Sequence, residues 1–334
     1  MYNILDFGAI GNGKTDCSQG IQKAIDTAAK TQESVYVPGG VFLCKNIKMR
    51  PRVELKGDAG WCFRENGGSV LQLADKNAQC ILDITEARGC TINGLSFEGG
   101  GLGEGINGIQ TKRESFPEHE DAFRIERCRV NNFSGDSCHF EKIWCVTVRH
   151  NMLSHSKGHG LSWEGWDGFV MDNWLSGNLG AGFYAGEWIT AVTFTGNRVE
   201  WNDMGGIYIK AGAAVNIANC YFDRHGGPAI YFASENGYSS ATISVVGCIL
   251  GQEVVFQDVV NVVCNSNIFG IADEYRGRET RPYAVAISGL SNAIIKDNVY
   301  GGGKLKGFLK DDGAHKGGVI IKDNTGEPML IYKR

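Results

Sequence analysis

The chain has 334 residues, 43% of them apolar and 10% aromatic, with 33 basic against 37 acidic side chains and a net charge of −4. That is ample for a core but gives no global basic field for nucleic acid, so a polyanionic ligand needs a local basic patch. No apolar run approaches the roughly 18–20 residues of a membrane span, and the start, MYNILDFGAIGNGK, lacks the regions of a signal peptide.

Glycine is abundant (47) and proline scarce (6), which suits an all-β repeat with many tight turns. The eleven cysteines are odd in number and form no CxxC. Cys44, Cys62, Cys80, Cys90, Cys128, Cys138, Cys145, Cys220, Cys248 and Cys264 lie in apolar segments and are expected in the core, so the sequence supports no disulfide framework, metal site or cofactor.

In chain order, residues 1–32 read as a strand and a capping helix. Asp16 is placed to cap it with Gln19 three residues on, and Ile21, Ala24, Ile25 and Ala28 form an apolar stripe at helical spacing. From 33 to 334 the chain reads as coils of one domain, with loops near 99–121, 270–283 and 300–317. The segments 136–142, 159–165, 181–187, 205–211 and 228–234 each alternate apolar residues at period two, the signature of a half-buried strand. Cys138, Phe140, Leu161, Trp163, Phe183, Ala185, Ile207, Ile209, Ile230 and Phe232 are expected to point inward.

Between them an asparagine recurs, at Asn151, Asn173, Asn197 and Asn219, then at Asn267, Asn298 and Asn324. Cys128, Gly247 and Leu95 are expected at the same position in other turns. A period of about 23 residues with no intervening helices predicts an all-β fold, a single-stranded right-handed parallel β-helix (solenoid). The asparagines would form a ladder at a bend, where Asn tolerates the left-handed conformation.

ILDFGAIGNGKTDCSQGIQKAID followed by VYVPGGVF resembles the N-terminal signature of the pectate-lyase-like β-helix superfamily, which includes polygalacturonases, polysaccharide lyases and tailspike depolymerases. The resemblance implies a β-helix and a poly- or oligosaccharide partner, with no nucleic acid or membrane. It allows a homo-oligomer, since some relatives are trimers. An extracellular or periplasmic mature domain is expected, or else a cytosolic protein. SKGHGLSWEG (156–165) is similar to the GHGLS segment of polygalacturonases, SGDSCHF (134–140) to their GDDC segment and GGIYIK (205–210) to their basic G-V-R-I-K strand, which implies Asp136, His159 and Lys210 as candidates. The second aspartate of that pair is missing, Asn107 stands where an acid is expected, and Tyr208 replaces an arginine, so the inverting mechanism does not carry over intact.

The outward residues form columns: His139, Ser162, Tyr184, Tyr208, Tyr231, and beside it Glu141, Glu164, Gly186, Lys210, Ala233. A row of tyrosines suits sugar rings, though it also suits a stacking ladder. Glu141 and Glu164 are either a carboxylate pair of the kind that hydrolyses glycosides, one kept protonated by the other, or two surface glutamates with one paired to Lys142 or Lys210. On the preceding bends Glu200 and Asp223, Trp201 and Arg224, and Asn202 and His225 are equivalent, with Asp203 close by; they form either the opposite wall of a groove or a second acid pair, or are turn residues that satisfy backbone groups. Trp166, Trp188 and Glu187 form either a sugar-facing edge or a surface under a long loop.

The leading expectation is a glycoside hydrolase using Glu164 and Glu141 with Asp136 and His159 adjoining. His139, Tyr184, Tyr208, Lys210, Tyr231, Glu187, Trp201, Asp203, Asp223, Arg224 and His225 would bind substrate. The alternative is a polysaccharide lyase or uronate epimerase with Tyr208, His159 or His225 as base and Lys210 or Arg224 neutralising the uronate. A third reading is a glycan-binding or structural β-helix without catalysis.

Overall fold

The computed structural model of the chain describes residues 1–235, 237–271, 282–302 and 305–326, with the backbone of a short hairpin at Glu274–Tyr275 and Arg278–Glu279. It contains two compact units, Met1–Trp174 and Leu175–Arg334.

In the first unit the helix spans Ser18–Thr31. Ile21, Ala24, Ile25 and Ala28 are completely buried along one face, as their spacing requires. Asp16 accepts from the Ser18 N–H and hydroxyl at 2.9 and 2.5 Å. Cys17 holds the cap position without a side-chain bond, so only the Asp16 half of the expected Asp16–Gln19 box is formed. The Gln22 carboxamide donates to the Lys48 carbonyl (2.9 Å) and accepts from its N–H (2.8 Å). It thereby pairs the first strand edge as another strand would.

Parallel strands then repeat on three faces. On the first lie Ile47–Lys48, Cys80–Asp83, Asn107–Thr111 and the opening residues of Cys138–Arg149 and Leu161–Met171. On the second lie Val35–Val37, Glu54–Gly57, Thr91–Asn93, Arg124–Glu126 and the closing residues of the same two long strands. The third holds Asn12–Asp16, Gly40–Cys44, Ser69–Leu73, Ser96–Glu98, Arg129–Asn131 and Met152–Ser154. Each coil thus gives a strand to each face, the arrangement of a parallel β-helix. Cys138, Phe140, Leu161 and Trp163 are at most 1% exposed, and the Phe140 and Trp163 rings meet edge-on at 6.1 Å.

The second unit is wound in the same way. Ala181–Thr195 pairs in parallel with Gly205–Ala218, which pairs with Ile230–Ala233 and Ala241–Val246. A separate column runs through Arg198–Glu200, Tyr221–Asp223, Ile249–Leu250, Ile268–Gly270, Val299–Gly301 and Thr325–Gly326. Phe183, Ala185, Ile207, Ile209, Ile230 and Phe232 all point inward.

The asparagine ladder exists, with one shift in register. In the first unit Cys128 donates its N–H to Asn151 Oδ1 (2.8 Å), while the Asn151 N–H and carboxamide both donate to Asn173 Oδ1 (3.0 and 3.1 Å). In the second unit Cys248 donates to Asn267 Oδ1, Asn267 to Asn298 Oδ1 and Asn298 to Asn324 Oδ1. The residue equivalent to Asn197 is Cys220, not Asn219, and the next is Cys248, not Gly247. Asn219 and Gly247 stand one position earlier with His150, Asp172, Gly196, Ser266, Asp297 and Asp323, all at φ between 54 and 66°. The left-handed residue is therefore the one before the ladder, and the ladder asparagine is kept for its carboxamide.

The loops are shorter than expected. The 99–121 stretch contains the strand Asn107–Thr111, and 300–317 contains part of Val299–Gly301 and all of Gly307–Asp311. Most of 270–283 lies outside the described residues. Cys62 and Cys145 are exposed, whereas the other cysteines are buried.

Candidate functional site

The polar residues of the first face converge in the first unit. Asp136 is 7% exposed and occupies the coil position of His159. Its Oδ1 accepts the His159 backbone N–H (2.6 Å), and its own N–H donates to Asn107 Oδ1 (2.8 Å). Any Cβ at Gly158 would collide with Asp136 Oδ1, so the glycine is what lets the carboxylate reach the His159 backbone. Asp136 Oδ2 meets His139 Nδ1 at 2.7 Å, and His139 Nε2 meets Glu141 Oε1 at 3.2 Å. One imidazole is thus held between two carboxylates.

The two histidines respond in opposite directions. The hydrogen bond to Asp136 holds the His139 imidazole above its ordinary value against burial, with the charges of Asp136 and Glu141 adding to it. Burial pushes His159 below its ordinary value, helped by the charge of His139 and opposed by that of Asp136. The two imidazoles, three residues and one coil apart from a shared Asp136, are thus driven to opposite protonation states.

Glu141 and Glu164 do not form the expected pair. The register between their strands slips between Phe140 and Ile143, so that Glu141 and Lys142 together stand opposite Glu164. This is a β-bulge, with Lys142 at φ 51°. Lys142 Nζ then reaches both Glu164 oxygens, at 3.3 and 3.4 Å. Glu141 turns to His139 and accepts the Arg113 backbone N–H (3.2 Å). The Arg113 guanidinium is itself fixed by the almost buried Asp121 (2.8 Å) and the Thr85 carbonyl.

The column through His139 extends beyond the residues singled out from the sequence. Lys48, Asp83, Gln110, His139 and Ser162 lie in consecutive register. Gln110 is 4% exposed and accepts from the Asn107 carboxamide (3.1 Å). A pocket of about 360 Å³ opens on this column at Lys48, Asp83, Gln110 and Lys112. Beside the site Phe116 stacks on Trp166 at 4.0 Å, with Trp144 edge-on at 6.4 Å. Trp166 therefore packs under the segment after Thr111. Among the described residues no group of three His, Cys, Asp or Glu side chains is placed to hold a metal ion.

The remaining candidates lie in the second unit. Tyr184, Tyr208 and Tyr231 align, but their rings stack on one another, at 6.3 Å and 24° and then at 4.3 Å and 18°. Tyr208 therefore has a face covered by Tyr231, and the row offers hydroxyls and edges more than sugar-sized faces. Tyr231 donates to Glu235 (3.1 Å), and burial with the adjacent Tyr208 and Glu235 holds its phenol well above the ordinary value. Gly186 is the residue that Tyr184 folds over, since a Cβ there would stand 2.7 Å from the hydroxyl. Lys210 is engaged by Glu235 (3.6 Å). Glu187 is exposed in a second register slip, between Ala185 and Trp188. Trp188 tilts onto Tyr238 at 5.6 Å.

The bend residues follow the structural alternative. Trp201 and Arg224 are left-handed turn residues (φ 57 and 53°), and Asp203 donates its N–H to the Asn178 carbonyl. Glu200 and Asp223 pair in register, each with its own arginine, Arg198 and Arg224, at 3.0 Å. Burial, helped by Glu200 and opposed by Arg224, holds the Asp223 carboxyl above its ordinary value. His225 is 2% exposed, so it cannot serve as a surface base or ligand. It accepts the Asn202 N–H (3.2 Å), and Asn178 donates to Asn202 Oδ1 (3.1 and 2.9 Å), which makes a second ladder.

Burial lowers His225 from 6.5 to about 3. Below 6.5 the unfolded chain binds a proton that the folded chain refuses until about 3. Stability is therefore lost as pH falls across that window, by about 1.4 kcal/mol per pH unit. His225→Asn places a carboxamide acceptor at the ladder position, as at Asn178 and Asn202, and removes this term. Urea midpoints at pH 7 and pH 4.5 are expected to differ less in the variant than in the wild type.

A family model described as rhamnogalacturonase A/epimerase, pectate lyase-like, matches residues 1–200, and one for the right-handed β-helix region matches 144–327. The chain is 28% identical over 200 residues to the mannuronan C5-epimerase AlgE6 of Azotobacter vinelandii, a match covering 53% of this chain and 21% of that protein. The chain thus spans about a fifth of that relative's length. Among solved structures, the A-module of mannuronan C-5 epimerase AlgE4 from Azotobacter vinelandii superposes with a TM-score of 0.63 at 16% identity, covering 96% of this chain and 100% of that one. The enzymatically active domain of tailspike protein 2 of bacteriophage CBA120 gives 0.66 at 14% identity, covering 92% and 51%. At these identities the two structures bear on the fold, a right-handed parallel β-helix.

Proposed function

Because this chain belongs to the rhamnogalacturonase A/epimerase, pectate-lyase-like family, we propose that it is a polysaccharide-modifying enzyme whose proton-transfer unit is Asp136, His139, Glu141 and His159. The observation that carries this reading is the imidazole of His139 held between Asp136 and Glu141. Carbohydrate-acting names among its relatives support the substrate class.

The reaction favoured by the opposed histidines is removal of the proton beside a uronate carboxylate. Neutral His159 takes the C5 proton, and the electron pair moves onto the sugar's own carboxylate. Cationic His139 stabilises that charge and supplies a proton. Return of a proton to the other face of C5 gives the epimer, whereas loss of the C4 oxygen substituent gives an unsaturated end. Glycoside hydrolysis is the second reading. It is favoured by two carboxylates, Asp136 and Glu141, on either side of one ring, with Asp136 or Glu141 as the acid.

Products separate the two. Polyuronates treated with the enzyme are expected to show altered C5 configuration or ultraviolet-absorbing unsaturated ends, and reducing ends without either would favour hydrolysis. The pH dependence gives a second check. His139 is competent while protonated, up to a value above 6.5, and His159 while neutral, down to a value below 6.5. The profile of kcat/KM is expected to be a bell enclosing pH 6.5, and activity rising monotonically across that pH would contradict the assignment.

A further inference from the structure

We propose that the pocket at the Lys48 end of the His139 column is a subsite for a uronate residue of the substrate chain, with Lys48 and Lys112 receiving its carboxylate. The proposal rests on the uronate reading of the adjoining site and adds to it a second, carboxylate-recognising subsite and a direction. The pocket, about 360 Å³, falls within the range of small-ligand sites and suits one or two sugar rings. It is not a separate cavity. Gln110 lines it, and Gln110 is the register neighbour of His139.

The charges in the pocket are not equivalent. Arg50 is engaged by Asp26 at 2.6 Å. Lys48 and Lys112 are exposed and, among the described residues, have no ion-pair partner. Their backbones are fixed, Lys48 by the Gln22 carboxamide and Lys112 by its N–H to Thr85 Oγ1 (3.0 Å). Both lysines line the same pocket, so a carboxylate bound there comes within reach of their ammonium groups, and each such contact is charge-assisted. Asp83, Glu86 and Gln110 remain as acceptors and a carboxamide for hydroxyls, and the two carboxylates oppose an acidic sugar unless the lysines meet its charge. The ammonium pair therefore carries the discrimination between an acidic and a neutral sugar.

Lys48 stands three register steps from His139, about 14 Å at strand spacing. A chain laid along the column would place its reacting sugar at His139 and an acidic sugar in the pocket on the side of the helical cap. Recognition of a carboxylate away from the reacting centre would fix which end of the polysaccharide lies toward the cap, as binding energy remote from the chemistry commonly does.

The test uses direct binding to His139→Gln protein, so that no turnover intervenes. Calorimetry is run with tetragalacturonate and tetramannuronate, each intact and after chemical reduction of its carboxylates to hydroxymethyl groups. The intact form of at least one is expected to bind more tightly than its reduced form. Lys48→Gln with Lys112→Gln is expected to weaken the intact ligand by about 10–100-fold, the range for hydrogen bonds to charged groups, and to leave the reduced ligand within about twofold. Equal affinity for intact and reduced forms, an unchanged affinity in the double variant, or no binding of any of the four would overturn the proposal. The catalytic reading fails separately, if wild-type protein leaves every polyuronate unaltered while this binding preference persists.

Discussion

Replacing His139 by Gln is expected to lower kcat by about 10²–10⁴-fold, the usual contribution of a positioned acid or base, with little change in stability. The ring is partly exposed at the rim of the first face, as is one of its two partners, Glu141, and buried Asp136 keeps its bond to the His159 N–H. Removal of the ring leaves no cavity in the core, because Cys138 and Phe140 on either side carry the inward packing. Asp136→Asn gives a readout that a merely structural residue would not. The hydrogen bond that His139 donates to Asp136 is the leading cause of the raised His139 pKa. Loss of that negative charge is expected to move the alkaline limb of the pH profile downward as well as to slow turnover. Glu164→Gln is the contrasting variant. Glu164 pairs with Lys142 across the bulge rather than with Glu141, and its loss is expected to cost far less than that of His139. Steady-state kinetics on a polyuronate, with circular dichroism of each variant, would check all three.

The second large effect is on stability. Asn151→Ala is expected to destabilise the first unit by about 3–5 kcal/mol. Asn151 is 2% exposed, and its carboxamide accepts from the Cys128 N–H while donating to the Ile125 carbonyl (2.8 Å) and to Asn173 Oδ1. Alanine leaves the first two backbone groups buried without these partners, at about 1–3 kcal/mol each, and the Asn173 oxygen with one donor fewer. Asn219→Ala is the matched control. Asn219 sits one position ahead of the ladder at φ 54°, so its cost is that of a left-handed alanine, about 1–2 kcal/mol. Urea denaturation of the two variants would separate a ladder effect from a turn effect. Equal losses would show that the carboxamide bonds contribute little.

The parallel coils, the buried alternation of 138–140 and 161–163 and the apolar stripe of the helix were legible because each is a periodicity. The ladder register was legible from Asn151 to Asn173 and failed at Asn219, since IANCYF offers an asparagine at the turn position and a cysteine at the ladder position. Before Cys128 the ladder residues are not asparagines, so nothing marked where Lys48, Asp83 and Gln110 align with His139. That is why half of the column was missed and Asn107–Thr111 was taken into a loop. The face of His139 was legible from the alternation of its strand, but its bonds to Asp136 and Glu141 were not, because they depend on how the chain enters the strand. The bulge at Lys142 converted an expected acid pair into an ion pair. One extra residue in a strand has no signature in composition or period.

The most direct test of the central proposal is exchange at the reacting carbon. Polymannuronate and polygalacturonate would be incubated with the wild-type protein and with His139→Gln in deuterated water, and C5–H followed by proton NMR. The expected result is deuterium entering C5 of one polymer, or unsaturated ends appearing in it, with the wild type and at a rate at least about 10²-fold lower with the variant. Cleavage of either polymer with C5–H fully retained, or exchange that proceeds equally in both proteins, would contradict it.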